Sequence, residues 1–369
     1  MMRIIFSGGG TLGPVTPLLA VNQELESASV RGGFKLVRLW VGTRRGPEKN
    51  VIAFYGIPYR AIASAKLRRA MDVRNLFMPF FLFLGFIQGL IIILRFRPTI
   101  FISAGGFVSV PLAWAAWLLA VPIIIHQEDR AAGLANLLMA PASRMVTTAF
   151  YETAQSFPHP KTRCVGNPVR AEIREAAKID AQSAKDFFGF KMEKPVLLVL
   201  GGGTGAAALN DFVFAGKEEL KKYFQVLHLT GIGKGEAEKA PRTREEDYRA
   251  FEFLSGVNMG LAYRAADLVV SRAGMGVISE LSELGLPAVL APIPETHQEV
   301  NAKYLEEKKA VLVLKQAELG AKTIPLLKNL FEDKKLMAEL RENIKKIFPR
   351  DAAHRLADFC IQFSKKGGH

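Results

Sequence analysis

The sequence predicts an α/β fold of two doubly wound domains, each built on a parallel sheet, with the two sheets facing across a cleft. Three observations predict it. Short β-rich runs alternate with helical patterns. The alternation restarts after a polar, proline-bearing stretch at Phe157–Arg170. Glycine-bearing turns follow predicted strands and open helices in both halves.

In the first half the strands are expected at Arg3–Ser7, Lys35–Val41, Tyr59–Ala63, Thr99–Ser103, Pro122–His126 and Met145–Phe150. Nearly all of them are apolar throughout, as a parallel sheet covered on both faces requires. Val15–Leu25 and Val110–Leu119 carry helical apolar spacing. A helical segment, Ala171–Phe188, leads into a second set of strands. These are Val196–Leu200, Gln225–Leu229, Ala250–Leu254, Leu268–Ser271, Ala288–Pro292 and Ala310–Leu314. Asp351–Phe363 reads as a closing helix. The division is therefore residues 1–165 and 166–350, both Rossmann-like, with a C-terminal helix over 351–369 packing back on the first domain.

Composition agrees with two packed cores. Of 369 residues, 49% are hydrophobic and 23% charged, which argues against disorder. Cys164 and Cys360 are too few for a disulfide framework and lack metal-ligand spacing, which fits a reducing, cytoplasmic setting. The start, MMRIIFSGGG, does not read as a signal peptide. The formal net charge is +14, and residues 1–170 hold 19 Lys/Arg against 7 Asp/Glu. A basic half implies a polyanionic partner. The chain carries no zinc-finger or RRM-like signature, so no nucleic acid is expected.

An anionic membrane surface is the partner that the local context favours. Leu76–Leu94 has about the length needed to span a bilayer, yet Pro79, Gly85, Gln88 and Gly89 interrupt it. It also lies between two strands of one sheet, which a true crossing would split. The expected form is a helix, or helical hairpin, with one face on the sheet and the other in lipid. Phe80, Phe81, Phe83 and Phe86 supply the apolar side. Lys66, Arg68, Arg69, Arg74, Arg95 and Arg97 flank it. The competing reading is a fully buried core helix.

Four glycine turns carry the site argument: Ser7–Pro14, Ser103–Pro111, Leu200–Asn210 and Ser271–Glu280. A strand–glycine–helix turn aims backbone N–H groups beyond the strand ends, where the helix dipole favours a phosphate. Any one of them is equally readable as a tight βα turn. None has the GxxxxGK[ST] form of a P-loop. The second strand ends LWVGTRRG, without the acid that an NAD site uses.

The segments FSGGGTLGPVTPLLAV, SAGGFVSVP, IHQEDRAAGLAN, VGNPVR, LGGGTGAAALN and SRAGMGVISELSELGLPAVLAPIPETHQEVNA follow one another in this order. At these motifs the chain resembles the MurG family of UDP-GlcNAc transferases, along nearly its whole length. The resemblance implies a GT-B fold and inverting transfer of GlcNAc from UDP-GlcNAc to lipid I, making lipid II. It implies a peripheral enzyme at the cytoplasmic face of the plasma membrane. The implied partners are a UDP-sugar donor, a lipid-linked acceptor, the anionic membrane surface and other cell-wall synthesis proteins. No cofactor is implied, since UDP-GlcNAc is a substrate. No metal is implied either, and the sequence has no Asp-x-Asp motif.

The resemblance also assigns residues. Arg170, Gly203, Thr204 and Gly205 lie where the family holds the nucleotide diphosphate, Gly203 standing where a serine is commoner. Glu280 matches the acid that grips the ribose, and an N-terminal helix acid is its plainer reading. Gln298 and Asn301 match amides that read donor-sugar hydroxyls, with a solvated helix face as the alternative. Gly10, Thr11 and Gly13, with Gly105, Gly106 and Phe107, form the acceptor and diphosphate loops. One departure matters. The family's first loop ends in His, its favoured base candidate, and here Pro14 stands there, a residue that cannot take a proton. The family's His-Glu-Gln-Asn is His126-Gln127-Glu128-Asp129 here. Asp129, or else Glu128, is expected to act as base, with His126 orienting the loop; the alternative is that both acids are loop residues paired with Arg130. Three other activities stay open: a UDP-sugar:diacylglycerol glycosyltransferase, a UDP-GlcNAc epimerase, and a non-catalytic membrane-bound UDP-sugar binder.

Overall fold

A computed structural model describes residues 1–64, 78–158, 160–202, 205–231, 246–254 and 256–366. Arg68 and Arg69 of the expected membrane flank, and Gly203 and Thr204 of the third glycine turn, lie outside the described residues. The chain forms two compact units. Unit one is Met1–Arg170 with Pro349–His369, and unit two is Ala171–Phe348.

Unit one carries a seven-stranded, wholly parallel sheet. Its strands are β1 (Met2–Ser7), β2 (Leu36–Gly42), β3 (Tyr59–Ala61), β4 (Ile100–Ser103), β5 (Ile123–Gln127), β6 (Met145–Thr148) and β7 (Thr162–Cys164). They run in the order β3-β2-β1-β4-β5-β6-β7. Its first five helices are α1 (Thr16–Arg31), α2 (Glu48–Phe54), α3 (Met78–Phe96), α4 (Ser109–Leu118) and α5 (Leu134–Met139). Alternate residues of β1 feed opposite faces. Ile4 and Phe6 pack with Leu18 and Leu25 of α1, while Ile5 packs with Leu112 and Ala115 of α4. Both faces are covered, which is why β1 is apolar without alternation.

Unit two has a six-stranded parallel sheet in the order β10-β9-β8-β11-β12-β13. Its strands are β8 (Val196–Leu200), β9 (Gln225–Leu229), β10 (Tyr248–Phe251), β11 (Leu268–Ser271), β12 (Ala288–Leu290) and β13 (Leu312–Val313). Its helices are α6 (Ala171–Ala176), α7 (Ala181–Phe188), α8 (Ala207–Tyr223), α9 (Gly256–Ala265), α10 (Met275–Leu284), α11 (His297–Glu307), α12 (Thr323–Glu332) and α13 (Lys334–Lys345). The last helix, α14 (Ala352–Lys366), belongs to unit one, where Leu356 and Cys360 join the core beside α1.

The structure departs from the sequence reading in these places. β7 is an added edge strand inside the stretch read as irregular; three residues, Thr-Arg-Cys, give no apolar signal. The segment Ala171–Phe188 is two helices, because Asp180 caps a fresh start by accepting from Ser183 N–H at 3.0 Å. Of the two forms expected for the apolar stretch, residues Met78–Phe96 take the single helix, α3.

α3 packs through its small residues. Gly85 meets Pro111, and Gly89 meets Leu112 and Ala115 of α4. Gln88 accepts a 2.6 Å hydrogen bond from Ala63 N–H. Phe86 turns inward to the core, departing from the lipid-facing side expected of it. Phe80, Phe83 and Leu94 stay 63%, 65% and 59% exposed, which excludes the fully buried core helix. Trp117 and Leu118 of α4, and Leu134, Leu137 and Leu138 of α5, are exposed as well.

Candidate functional site

In an open parallel sheet the ligand crevice lies where the strand order reverses, beyond the carboxyl ends. In unit one that point falls between β1 and β4, and in unit two between β8 and β11. All four glycine turns follow these strands.

Loop one, Gly8–Pro14, and loop two, Ala104–Val108, follow β1 and β4. Gly106 has φ +89°, and a Cβ there would lie 2.8 Å from Gly9 O, so the two loops touch backbone to backbone. Ser7 and Ser109 hydroxyls meet at 2.9 Å beneath them, and Ser109 donates to Gly105 O at 3.0 Å. Gly10, Thr11 and Gly13 are exposed, and Phe107 is half-buried. Gly10 N–H is already engaged: it donates to Glu48 Oε2 at 3.2 Å.

The end of β5 brings together groups from two sequence motifs. His126 is fully buried, its Nε2 2.8 Å from Asn167 Oδ1 and its Nδ1 3.0 Å from Thr147 Oγ1. Burial lowers its pKa to about 4, so the ring is neutral at physiological pH. A neutral ring donates once. Nε2–H faces Asn167 Oδ1, Nδ1 lies against the Thr147 hydroxyl, which also donates to Ile125 O at 3.2 Å, and His126 is held as a loop-positioning group. Asn167 also hydrogen-bonds Glu128, which is buried. Burial, and then the charge of Asp129, raise the Glu128 carboxyl well above the usual carboxylate range, against the Asn167 bond. Glu128 Oε2 has no hydrogen-bond partner among the described residues. Asp129 is half-buried. Gln127 braces the loop, donating to Asp129 O at 3.0 Å and Ala131 O at 2.9 Å and accepting from Gly133 N–H at 3.1 Å. The Arg130 guanidinium approaches Glu152 at 4.0 Å.

In unit two, loop three (Gly201–Ala206) follows β8. Gly202 and Gly205 have φ +80° and +69°, and Gly205 N–H donates to Gly202 O at 3.0 Å. α8 begins after Ala206 and α10 after Gly274, neither with a side-chain cap. By contrast Asp180, Thr296 and Asp333 cap α7, α11 and α13. Uncapped first-turn N–H groups at a crevice suit an anion. Loop four, Arg272–Gly274, is fixed by Arg272, which donates to Ala291 O at 2.8 Å and Gln316 Oε1 at 2.6 Å.

The other residues assigned to the donor take these places. Glu280 is buried in the second turn of α10. Gln298, in the first turn of α11, accepts from Ile293 N–H at 3.1 Å. Asn301 is fully buried and donates to Ala273 O at 3.4 Å, tying α11 to loop four. His297 is exposed. Arg170 closes unit one, just before α6. Among the described residues no group of three His, Cys, Asp or Glu could hold a metal.

Sequence reading missed Glu48, Thr147, Asn167 and Arg272. Glu48 sits past the TRRG run that was read only for lacking an acid. Asn167 lies inside the VGNPVR motif, where attention fell on the arginine.

Comparison with known proteins follows this geometry. Residues 4–148 match the glycosyltransferase family 28 N-terminal domain, and residues 196–356 the glycosyltransferase family 28 C-terminal domain. The chain is 35% identical over 348 residues to the UDP-N-acetylglucosamine–N-acetylmuramyl-(pentapeptide) pyrophosphoryl-undecaprenol N-acetylglucosamine transferase of Lachnoclostridium phytofermentans, covering 93% of this chain and 94% of that one. It resembles the crystal structure of Acinetobacter baumannii MurG with a TM-score of 0.73 at 23% identity, over 98% and 100% of the two chains. A UDP-GlcNAc 2-epimerase from Neisseria meningitidis shares the fold at 12% identity, with a TM-score of 0.68 over 98% and 99% of the chains.

Proposed function

The chain belongs to the MurG family of family 28 glycosyltransferases, and on that premise we propose that it transfers N-acetylglucosamine from UDP-GlcNAc to lipid I, the undecaprenyl-pyrophosphoryl-MurNAc-pentapeptide, making lipid II for peptidoglycan. The observation that carries this reading is the 35% identity to a transferase of that name along 93% of the chain. The geometry is in keeping with it. Unit two's crevice has two uncapped helix starts, α8 and α10, behind glycine turns, a setting for a nucleotide diphosphate. UDP leaves as the acceptor hydroxyl attacks C1 of the sugar, so backbone N–H groups there stabilise the leaving charge.

The base in this reading is Asp129. A pair of acids with divided roles arises where environments push their pKa values apart. Glu128 is enclosed, with its carboxyl raised well above the usual range by burial, while half-buried Asp129 is the acid within reach of an incoming hydroxyl. The apolar outer face of α3, with the exposed leucines of α5, rests in the cytoplasmic leaflet and brings a polyprenyl acceptor to unit one. Arg95 and Arg97 add attraction to anionic headgroups.

The test is transfer from radiolabelled UDP-GlcNAc by the purified full chain, offered lipid I or diacylglycerol in vesicles. Labelled lipid II supports the reading. Label on diacylglycerol alone replaces it with the glycolipid synthase, and free ManNAc or its UDP-linked epimer replaces it with the epimerase.

A further inference from the structure

Glu48 opens α2 and is fully buried. A buried carboxylate persists only where donors surround it. Here Oε2 accepts from Gly10 N–H of loop one at 3.2 Å. Oε1 accepts from Thr43 N–H at 2.8 Å and from the Thr43 hydroxyl at 2.5 Å. The Tyr59 hydroxyl of β3 lies 3.2 Å from the same oxygen while donating to Thr43 O at 2.6 Å. One side chain therefore ties together the turns that follow β1 and β2 and the first residue of β3.

Glycines make the room for it. A Cβ at Gly9 or Gly46 would collide with the carboxylate, and one at Gly42 would lie 3.1 Å from Oε1. Gly9 is also the residue on which Gly106 of loop two packs. The glycine run of loop one thus admits a carboxylate from below, and the brace reaches loop two through Gly9. Nothing in the transfer chemistry uses Glu48 directly, and it has no open face toward solvent.

We propose that Glu48 is the positioning residue of the acceptor subsite: it clamps Gly10 and so fixes loop one against loop two in the arrangement the lipid-linked acceptor meets. The inference rests on the proposed transfer to lipid I. Its chemistry is selective. A carboxylate accepts from all of these donors at once. A glutamine offers one acceptor oxygen and turns an NH2 toward N–H groups, so shape alone does not restore the brace. An aspartate is one methylene too short to bridge α2 and Gly10.

The test is steady-state kinetics of the full chain in phosphatidylglycerol-containing vesicles carrying lipid I. Glu48→Gln is expected to raise KM for lipid I by about tenfold, with KM for UDP-GlcNAc and calorimetric UDP affinity within about twofold of wild type. Tyr59→Phe, which removes one rim contact and keeps the fold, is expected to raise the lipid I KM by about two- to threefold with the same donor values. Unchanged lipid I KM in both variants, or equal losses for donor and acceptor in Tyr59→Phe, overturns the proposal. Wild-type transfer to lipid I is read in the same experiment. Its absence would sink the parent reading, whereas an active wild type whose variants keep the wild-type lipid I KM sinks the role of Glu48 alone.

Discussion

Thr147, His126, Asn167 and Glu128 form one buried chain of hydrogen bonds, and its direction follows from counting protons. Asn167 donates to Glu128, so its oxygen faces His126 and the neutral ring donates back through Nε2. The chain ends at a carboxyl that burial keeps protonated beside Asp129. Two outcomes follow at this scale. Asp129→Asn is expected to lower kcat by about 10²- to 10⁴-fold, the usual worth of a positioned base, with UDP binding retained. Glu128→Gln is expected to cost less in kcat. If both variants turn over at the wild-type rate, neither acid is the base. Glu128→Gln also has a thermodynamic signature. A carboxyl whose folded pKa is raised lets the unfolded state lose its proton first, so stability falls as pH rises above the ordinary glutamate value of 4.5. Substitution removes that penalty. The Tm of Glu128→Gln relative to wild type should therefore climb as pH rises above the ordinary glutamate range; a constant difference would mean Glu128 is ionised in the fold.

Most of the elements were legible because burial on both sheet faces writes long apolar runs into the strands. Val196–Leu200, Gln225–Leu229 and Leu268–Ser271 begin and end where the runs do. β7 was not legible, since an edge strand of three residues buries too little to need an apolar pattern. Glycine turns were readable as loops at strand ends, but the residues that hold them were not. Glu48 and Arg272 are charged side chains that look solvated in sequence, yet each folds under a crevice loop and spends itself on backbone groups. Such partners depend on strand order, which periodicity does not encode. α3 is the element whose exposed apolar face was plainest in sequence, because its apolar side chains exceed what one packed face can use. Replacing Phe80, Phe83 and Leu94 by serine is expected to abolish sedimentation with phosphatidylglycerol vesicles while thermal stability and UDP affinity hold. Each exposed side chain inserted in lipid is worth about 1.5–3 kcal/mol. Undiminished sedimentation would place the membrane contact elsewhere.

At the scale of the whole molecule, each unit has a neutral histidine sealed in it: His126 in unit one and His228 in unit two, both lowered to about 4 by burial. His228 is held by Asn210 and Tyr248, each at 3.0 Å. Between the unfolded value of 6.5 and the folded value, the unfolded chain binds the extra proton, so stability falls as pH drops through that window. The loss is up to about 3 kcal/mol per histidine. Calorimetry from pH 7 to 4 should show both units weakening, and His228→Phe should lessen the acid sensitivity of unit two alone. Indifference of both units to acid above pH 4.5 would contradict the sealed, neutral rings. The claim beneath all of this is that the chain forms a glycosidic bond on a lipid-linked sugar. Mass spectrometry of lipid I after incubation with the full chain and UDP-GlcNAc tests it most directly. The account predicts a product heavier by one N-acetylhexosamine, carried on the MurNAc residue, with equimolar UDP released. Lipid I recovered unaltered by a folded, UDP-binding chain would contradict it.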